Sequence, residues 1–522
     1  MSGCRRRRAP RTAVLLLSLL LAATACTGGG AELPAPLPSG PAEISGGTAV
    51  DALPEELRIA VPGPPRRPPA RICDDAATLD GPGVQPPGSI AVGVDDDLDH
   101  LTAANPARSV FWLRSGVHRL KKSVVPKDGN TYIGAPGAIV DGENRLNIAF
   151  WEEYFRRSVD DVTLAHLTIQ NFTASSEDQG AVYAGTGWTI SHSTFRNNGY
   201  IALFAGSHNT IRYSCFDSNG QLGVGTYRLD GKPSSDIVVD RNEFRRNNTR
   251  RLSECGCAGG MKWWEAQRGS FTNNWVHGNN GPGVWADNNN IDMLFEGNFI
   301  NDNTGQGIFY EISYNFMIRG NSFVRNALER GARETSNFPM AAVYISEAGG
   351  VDVPGFRFAT SEIAYNYFED NWDGVALWES GNRYAGVDGG DATPSYGDRT
   401  RWKTQNILVH HNEFRMNKEN ARCVGRLTCG RNGLFSDWVP VPGPPLVPNT
   451  SHDEYQIAVS FKQNNVFQNN MYAGEWLFVA YDQSLTYGWT TWRDPRPDPL
   501  GLFTYAAPEP YGFAQDAGSS MS

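Results

Sequence analysis

The sequence predicts an all-β fold in which short strands wind into a right-handed parallel β-helix, a solenoid that forms a single large domain. A repeat is the main observation: an Asn, an apolar pair and a second Asn five residues on recur at spacings of 22 to 24 residues. The composition agrees, because Gly (56 residues) and aromatic side chains (11%) suit a turn-rich β protein. Helical repeats would need longer amphipathic runs with a 3.6-residue period, which the sequence lacks.

The repeat also sets the expected boundaries of the domain. Its clearest copies are 242–247, 274–279, 298–303, 321–326, 366–371, 412–417 and 465–470. Stacked Asn side chains in tight turns form hydrogen-bonded ladders, so each repeated Asn is expected to be structural. Longer gaps between copies predict inserted loops at about 381–403 and 421–455. We assign 86–522 to the β-helix, with an N-terminal cap before its regular coils.

The first 26 residues predict export. A basic stretch precedes the apolar run "TAVLLLSLLLA", which is too short for an ordinary membrane span. The letters "ATAC" end at Cys26 and resemble the lipobox of bacterial lipoproteins, which implies a lipid anchor on Cys26. Ordinary cleavage after "ATA" is the alternative and would release a secreted protein. Residues 27–85 are rich in Pro and Gly and are expected to form a tether.

The charge balance limits the possible partners. The formal net charge is −10, and it becomes −15 when the first 26 residues, which hold five Arg and no acid, are removed. Electrostatic attraction to nucleic acid or to anionic lipid head groups is therefore not expected. A membrane is expected as a partner only through the lipid anchor, at the outer face of a bacterial cell membrane.

Cysteine usage agrees with export and does not predict a metal site. Six Cys remain after the first 26 residues: Cys73, Cys215, Cys255, Cys257, Cys423 and Cys429. An even number in an exported chain predicts up to three disulfides. The stretch "CVGRLTC" would close a local loop from Cys423 to Cys429. The stretch "CGC" is too tight for a usual zinc pair and has no His at ligand spacing, so no metal and no cofactor are expected.

Two acids stand at equivalent places in consecutive repeats. The stretch "GVWAD" ends at Asp287 and "GIFYE" ends at Glu311, 24 residues later. Because consecutive coils stack like parallel strands about 4.8 Å apart, the two carboxylates are expected to be neighbours. Side chains alternate along a strand, so both acids are expected on the outer face, while Val284 and Ala286 point inward.

Such a pair suits the hydrolysis of a glycosidic bond. Like charges at this distance are unfavourable unless one is protonated or both are paired. Retaining glycosidases place a nucleophile and an acid/base about 5–5.5 Å apart, whereas inverting enzymes need about 6.5–9.5 Å to admit a water. One coil of separation matches the retaining geometry. A calcium site that uses both carboxylates, or a surface acid pair without function, are the alternatives.

Aromatic residues flank the acids in the same frame. Alignment of the neighbouring coils gives the candidate substrate-binding residues, which point outward except for Glu379, just beyond Trp378: Lys262, Trp264, Trp285, Phe309, Tyr344, Trp378 and Glu379. Aromatic faces stack on the C–H faces of sugar rings, so the row predicts a sugar-binding cleft. Lys262 is expected either to bind a sugar hydroxyl or to pair with Asp287. An oligo- or polysaccharide is the expected substrate.

These residues resemble a known family. The repeat resembles the pectate-lyase-type β-helix proteins, and "GVWAD…GIFYEISYNFMIRGNSF" is similar to the catalytic coils of glycoside hydrolase family 120, the β-helical retaining β-xylosidases. The resemblance implies Asp287 as the nucleophile and Glu311 as the acid/base. It departs from the family at Asn288, Asn289 and the triplet "ISY", and no stretch of this sequence resembles the extra β-sandwich of those enzymes. Mechanism is therefore better supported than substrate.

Two other classes of function fit the same fold. A polysaccharide lyase or epimerase abstracts a proton next to a uronate carboxyl and needs cations to stabilise the enolate. Lys262 with His277 or Arg228 are the candidates for those cations. The third class is a non-catalytic glycan-binding lipoprotein. The favoured prediction is an exported retaining glycoside hydrolase, β-xylosidase-like, acting on a plant or cell-wall glycan.

Overall fold

The computed structural model describes most of the chain after residue 62. The described residues are 63–150, 158–228, 231–253, 257–351, 355, 357–358, 360–380, 383–384, 401–436, 456–493 and 513–522. They belong to one compact unit that spans 61–522. The expected export segment and Cys26 lie outside the described residues. Within these residues, none of the helices has the length and apolar character needed to cross a membrane.

The fold is the predicted right-handed parallel β-helix, built from three stacked sheets. Sheet A stacks Ile90–Val92, Val110–Leu113, Thr131–Gly134, Thr163–Ala165, Thr189–Ser191, Thr210–Arg212, Val238–Asp240, Ser270–Thr272, Ile291–Glu296, Tyr314–Arg319, Ser361–Ala364, Ile407–His410 and Asn465–Gln468. Sheet B stacks Gly116–Arg119, Ala138–Asp141, Thr168–Gln170, Thr194–Arg196, Cys215–Asp217, Glu243–Arg245, Trp275–His277, Phe299–Asn301, Ser322–Val324, Tyr367–Glu369, Glu413–Met416, Met471–Gly474 and Ser520–Met521. Sheet C stacks Gly180–Tyr183, Ile201–Ala205, Leu222–Thr226, Met261–Trp264, Val284–Asp287, Ile308–Glu311, Ala341–Ser346, Asp373–Glu379, Arg431–Ser436, Leu477–Val479 and, antiparallel, Thr486–Tyr487.

One side of every strand faces a continuous apolar interior. Aromatic rings stack from coil to coil there, with centroids 5.0 Å apart for Phe195 and Phe216 and 4.8 Å apart for Phe216 and Phe244. All three rings are fully buried. Each such ring contributes roughly 1.5–3 kcal/mol relative to an exposed one, so the interior stack supplies much of the driving force for winding the coils.

Most of the repeated Asn form two ladders along the turns, as the sequence predicts; Asn417 and Asn465, in the last two copies, bond to Asp370 and Thr404 instead. In each ladder the side-chain amide of one Asn donates to the side-chain oxygen of the equivalent Asn in the next coil. One ladder is Asn198, Asn219, Asn247, Asn279, Asn303, Asn326 and Asn371. The other is Asn242, Asn274, Asn298, Asn321, Asn366, Asn412 and Asn470. These bonds satisfy buried turn amides, which fixes the register of the coils.

Short helices close both ends of the coil stack. The helix Leu98–Ala104 covers the first coils, where Thr102 and Tyr132 are joined by a 3.2 Å hydrogen bond. At the other end lie the π-helix Ala458–Lys462 and the helix Trp489–Arg493. The remaining helices are Ala76–Leu79 and Leu328–Arg333. The caps remove the open edges that an unprotected parallel sheet would present to other chains.

The predicted tether differs from the structure beyond residue 62. Residues 63–82 pack on the coils instead of forming a free linker: residues 63–75 lie along sheet B, and the carbonyl of Pro82 accepts from Trp112 of sheet A. The Cys73–Cys215 disulfide joins them to one coil, and an Arg66–Glu413 ion pair of 2.5 Å joins them to a coil much farther along. Pro-rich composition predicts an extended backbone correctly, but the contacts that hold this strap come from coils distant in sequence.

The second predicted loop also differs. Arg431–Ser436, within the expected loop 421–455, is a strand of sheet C. It is short and irregularly spaced from the previous copy, so the repeat does not reveal it. Cys423 and Cys429 form the expected local disulfide next to it. Most of the loop expected at 381–403, and residues 437–455, lie outside the described residues.

Candidate active site

The two acids face each other across neighbouring strands of sheet C. In Val284–Asp287 and Ile308–Glu311, Asp287 pairs with Glu311 and Trp285 pairs with Phe309 in the parallel register. Neighbouring strands are about 4.8 Å apart, so the acids are side by side, as the 24-residue spacing predicts. Val284 is fully buried in the interior, which leaves Asp287 and Glu311 on the outer face.

Asp287 is paired with a lysine from the preceding coil. The Nζ of Lys262 lies 2.7 Å from Oδ2 of Asp287, 3.0 Å from Sγ of Cys257 and 3.8 Å from the ring centre of Trp285. Burial alone would lower the pKa of Lys262, but Asp287 and Cys257 outweigh burial and hold that pKa above its ordinary value. The ammonium therefore neutralises Asp287 from one side while the carboxylate stays partly open, with 14% of its side chain exposed.

Glu311 has a different environment. The indole Nε1 of Trp285 donates to Oε1 at 3.0 Å, and Nη1 of Arg383 donates to Oε2 at 2.6 Å. Burial raises the pKa of Glu311 to about 7; the charge of Asp287 adds to this rise, while Arg383 opposes it. At neutral pH this carboxyl group therefore exchanges a proton readily, which is the property of an acid/base catalyst.

Arg383 and Glu347 complete the site and were not singled out by sequence reasoning. Nη1 of Arg383 is also 3.4 Å from Oε2 of Glu347. Glu347 is fully buried, and its Oε1 accepts from the backbone N at 2.8 Å and from Oγ at 2.6 Å of Ser380. Glu347 follows Ser346, which is in register with Glu311. Alignment of the repeats could therefore have indicated Glu347 as a neighbour of the acid pair. Arg383 belongs to an insertion, where the repeat gives no position.

The chain bends sharply just after each acid. Asn288 and Ile312 have positive φ angles of 62° and 35°, and Glu347 in the next coil has 43°. Asn tolerates this left-handed region, whereas a β-branched side chain such as that of Ile312 is strained in it. Ile312 follows Glu311 directly. The backbone at Ile312 is therefore held in this conformation by the surrounding packing and not by the conformational preference of an isoleucine.

The aromatic residues form a covered wall instead of the exposed row expected from the sequence. Trp285 and Phe309 stack with centroids 5.1 Å apart at 2°, and the Tyr344 ring lies 4.8 Å from that of Phe309. All three are buried. Phe338 packs on Tyr344 at 5.3 Å, because the segment between the sheet B strand Ser322–Val324 and the sheet C strand Ala341–Ser346 folds over the wall.

The outer members of the expected row have different surroundings. Trp378 is buried and pairs in register with Ser346, on the line of the acids, and Phe338 packs on it at 5.6 Å. Trp264 pairs in register with Asp287 and is only half-buried. Trp264 is therefore the aromatic side chain of the expected set that remains most open to a ligand beside the nucleophile candidate.

Glu379 is not in a position to bind substrate. Its carboxylate is fully buried and accepts from the backbone N of Thr404 at 2.8 Å and from Nε2 of Gln463 at 2.7 Å. Nη1 of Arg401 lies 2.8 Å from its other oxygen. Side chains alternate along the strand Asp373–Glu379, so Glu379 points away from the face that carries Trp378 and joins a structural network, which corrects its expected role.

The cations proposed for a lyase lie elsewhere. His277 is on sheet B, where its Nε2 is 3.0 Å from Glu243. Arg228 is engaged by Glu265. Of the three candidate cations, only Lys262 is at the acid pair, and it is paired with Asp287. The described residues hold no cluster of three or more metal-ligating side chains. Lys262 and Arg383 lie where a calcium ion bound by both acids would need space.

Comparisons with known proteins agree with the fold. The sequence model of the family described as "Right handed beta helix region" matches residues 157–258 and 179–358. Together with the three parallel sheets, it identifies a β-helix of the pectate-lyase type. No functionally curated protein matches the sequence.

Three solved structures illustrate the likeness, which concerns the fold alone. The catalytic unit of the GH87 α-1,3-glucanase of Streptomyces thermodiastaticus is 15% identical over 65% of this chain, with a TM-score of 0.45. The chain spans about three fifths (61%) of that unit. The A-module of the mannuronan C-5 epimerase AlgE4 of Azotobacter vinelandii is 14% identical (TM-score 0.35, 60% of this chain, 88% of the module). XylC, solved with xylose, is 10% identical, with a TM-score of 0.39; the match covers 73% of this chain and 81% of XylC.

Proposed function

We propose that this protein is a retaining glycoside hydrolase in which Asp287 is the nucleophile and Glu311 is the acid/base. The observation that carries the proposal is the in-register pairing of these two acids on adjacent strands. Neighbouring strands are about 4.8 Å apart, and this spacing supports a carboxylate separation of about 5 Å, as in double displacement, over the about 6.5–9.5 Å of an inverting mechanism.

The different surroundings of the two acids support the division of roles. Asp287 is partly open and its carboxylate has an ammonium partner at 2.7 Å, which suits the role of nucleophile. Glu311 is more enclosed, with 10% of its side chain exposed, and its pKa of about 7 lets it carry a proton at neutral pH. When two carboxylic acids have different surroundings, one can act as the acid and the other as the nucleophile.

The reaction then proceeds in two steps. The Asp287 carboxylate attacks the anomeric carbon as Glu311 gives its proton to the departing glycosidic oxygen, which leaves a glycosyl ester on Asp287. The ester removes the charge that raises the pKa of Glu311, so Glu311 ionises more readily. Ionised Glu311 takes a proton from water, which attacks the same carbon and releases the sugar with its original configuration.

The substrate is proposed as a plant or cell-wall glycan, with a β-xylosidase-like activity implied by the resemblance to family 120. Half-buried Trp264 is in register with Asp287, and we assign it the role of stacking on a sugar ring near the reacting carbon. The covered aromatic wall shapes and dries the cleft, which strengthens electrostatic interactions inside it. Export and a lipid anchor at Cys26 complete the proposal; mass spectrometry of the N-terminal peptide tests the anchor.

The lyase and epimerase class is less well supported. That chemistry needs cations free to stabilise an enolate. In the part of the chain that the structure describes, the cations at the acid pair are Lys262 and Arg383, and each is bound to one of the acids. A polyuronate would also meet two carboxylates at the reacting centre.

A screen of the purified protein on nitrophenyl glycosides and cell-wall polysaccharides tests the proposal. The first-formed sugar should keep the anomeric configuration of the substrate, as read by proton NMR. Asp287→Asn should lose turnover on every substrate, while Asp302→Asn, which alters an exposed acid bound by Arg325, should retain it. A product with inverted configuration, or an unsaturated product from a polyuronate, contradicts the assignment; lack of any turnover leaves the glycan-binding class.

A further inference from the structure

A single guanidinium nitrogen lies between two carboxylates at the acid/base. Nη1 of Arg383 is 2.6 Å from Oε2 of Glu311 and 3.4 Å from Oε2 of Glu347. The carboxylates of Glu311 and Glu347 are largely or fully buried, and the Arg383 side chain is 21% exposed. Water competes poorly at such a site, so each of these contacts is stronger than it would be on an open surface.

The contacts of Glu311 favour its ionised form over the protonated form that an acid needs. An indole N–H and a guanidinium are donors without acceptor capacity. One occupies each oxygen of Glu311. A protonated carboxyl group can still accept hydrogen bonds, but it lacks the charge that strengthens its bond to a guanidinium, so protonation of Glu311 weakens its hold on its charged donor. Trp285 is fixed by its stack on Phe309, which leaves Arg383 as the group that moves.

Glu347 is built to receive the displaced guanidinium. Both of its oxygens have fixed partners: Ser380 donates to Oε1, and Oγ of Ser346 donates to Oε2. The backbone of Arg383 is itself anchored, because its carbonyl accepts from the backbone N of Trp402 at 3.0 Å. A rotation of the side chain alone therefore exchanges one carboxylate partner for the other.

We propose that Arg383 is a positioning residue that moves its hydrogen bond between Glu311 and Glu347 as Glu311 alternates between acid and base. This inference rests on the proposed function. Arg383 binds Glu347 while Glu311 is protonated, before the glycosidic bond breaks. It returns to Glu311 when the proton has gone to the leaving oxygen, and it shifts again when Glu311 takes a proton from water. No group is gained or lost in the exchange; one proton moves at each step.

Substitutions of the two partners should shift the proton affinity of Glu311 in opposite directions. Among the described residues, the charged groups that face Glu311 are Asp287, Lys262 and Arg383, with Glu347 behind Arg383. Arg383→Ala removes a cation, so the basic limb of kcat/KM should move up by about one to three pH units. Glu347→Gln leaves Arg383 on Glu311, so the limb should move down by about one unit. Arg383→Lys should fall between wild type and Arg383→Ala.

The two variants should also slow different steps. With Arg383 held on Glu311, Glu347→Gln should lose at least about tenfold in kcat on substrates with poor leaving groups and little on activated ones, because only the former need the acid. Arg383→Ala should form the glycosyl-enzyme and hydrolyse it slowly near pH 7, which gives a burst of the first product. Glu379→Gln, a buried acid with its own Arg partner, is the matched control and should produce neither pattern.

A measurement that needs no activity separates this inference from the proposed function. Difference infrared spectroscopy, with Glu311→Gln to assign the band, follows protonation of the Glu311 carboxyl in the wild type, Arg383→Ala and Glu347→Gln. Opposite shifts of the titration in the two variants support the switch, even in a protein that hydrolyses no glycoside. An unchanged titration in both variants overturns the switch, and equal losses of rate on all substrates in Glu347→Gln also overturn it.

Discussion

The indole nitrogen of Trp285 and the carboxylate of Glu311 are joined across adjacent coils by a 3.0 Å hydrogen bond. Trp285 therefore belongs to both halves of the site, because its ring also contacts the ammonium that pairs with Asp287. Its face is covered by Phe309, so the indole acts as a wall and a hydrogen-bond donor rather than as an open sugar platform.

Trp285→Phe should separate the role of the indole as a wall from its role as a hydrogen-bond donor. Phe keeps the stack on Phe309 but lacks the donor, so Oε1 of Glu311 loses a fixed partner and the carboxyl group gains freedom to rotate. A hydrogen bond to a charged group contributes about 1.5–3 kcal/mol, which corresponds to a loss of roughly ten- to a hundredfold in kcat with KM little changed. Steady-state kinetics on one aryl glycoside measures this. A rise in KM at constant kcat would instead assign Trp285 to substrate binding.

Glu311→Ala should divide substrates by their leaving groups. Dinitrophenyl glycosides need no proton for the first step, so the glycosyl-enzyme should form at close to the normal rate and then accumulate. Substrates with poor leaving groups should lose about a hundred- to ten-thousandfold. Added azide needs no general base and should restore turnover as a glycosyl azide of retained configuration, detected by NMR. Insensitivity to azide would count against Glu311 as the base.

The acid pair could be predicted from sequence because it depends only on the repeat. A spacing of 24 residues equals one coil, and side chains alternate along a strand. These two facts predict that Asp287 and Glu311 are neighbours on the outer face. Arg383 could not be found in this way, since it is 72 residues beyond Glu311 in an insertion. Nothing in the local sequence says which coil the insertion contacts.

The difference between residues set by the repeat and residues in insertions also explains why the aromatic wall was only partly predicted. The coil frame correctly predicts that Trp285, Phe309 and Tyr344 point away from the interior, but it contains no information about what lies over them. The Phe338 segment that covers them is an insertion, like the one that carries Arg383. The strap at residues 63–82 is another case, because a disulfide and an ion pair to distant coils decide its position.

The raised pKa of Glu311 should also appear as a pH-dependent cost to stability. The folded-state pKa of about 7 exceeds the ordinary value of 4.5, so the folded protein binds the proton more tightly than the unfolded chain. The stability that this proton provides is present below pH 4.5 and is lost as the pH rises to 7. The difference corresponds to about 3 kcal/mol at most.

Glu311→Gln should therefore be stabilised relative to the wild type at pH 8 and much less at pH 5. Thermal unfolding of both proteins at the two pH values measures the difference. Glu296→Gln, which alters a half-buried acid on sheet A bound by Arg319, is the control and should not show this increase. A constant offset between wild type and Glu311→Gln at all pH values would contradict a raised pKa in the folded state.

The two disulfides should differ in their effect on stability, because one closes a long loop and the other a short one. Cys73 and Cys215 are 142 residues apart, whereas Cys423 and Cys429 are 6 apart. In the chain-entropy description, the long crosslink contributes about 5 kcal/mol and the short one about 2 kcal/mol. Paired Cys→Ser variants, unfolded by denaturant without reductant, test this order.

Because the strap lies on sheet B and the acids on sheet C, Cys73→Ser/Cys215→Ser should lower the unfolding midpoint while leaving kcat of the folded protein unchanged. An equal or larger loss of stability in the Cys423→Ser/Cys429→Ser variant would mean that the strap is held mainly by contacts such as the Arg66–Glu413 ion pair and not by its crosslink.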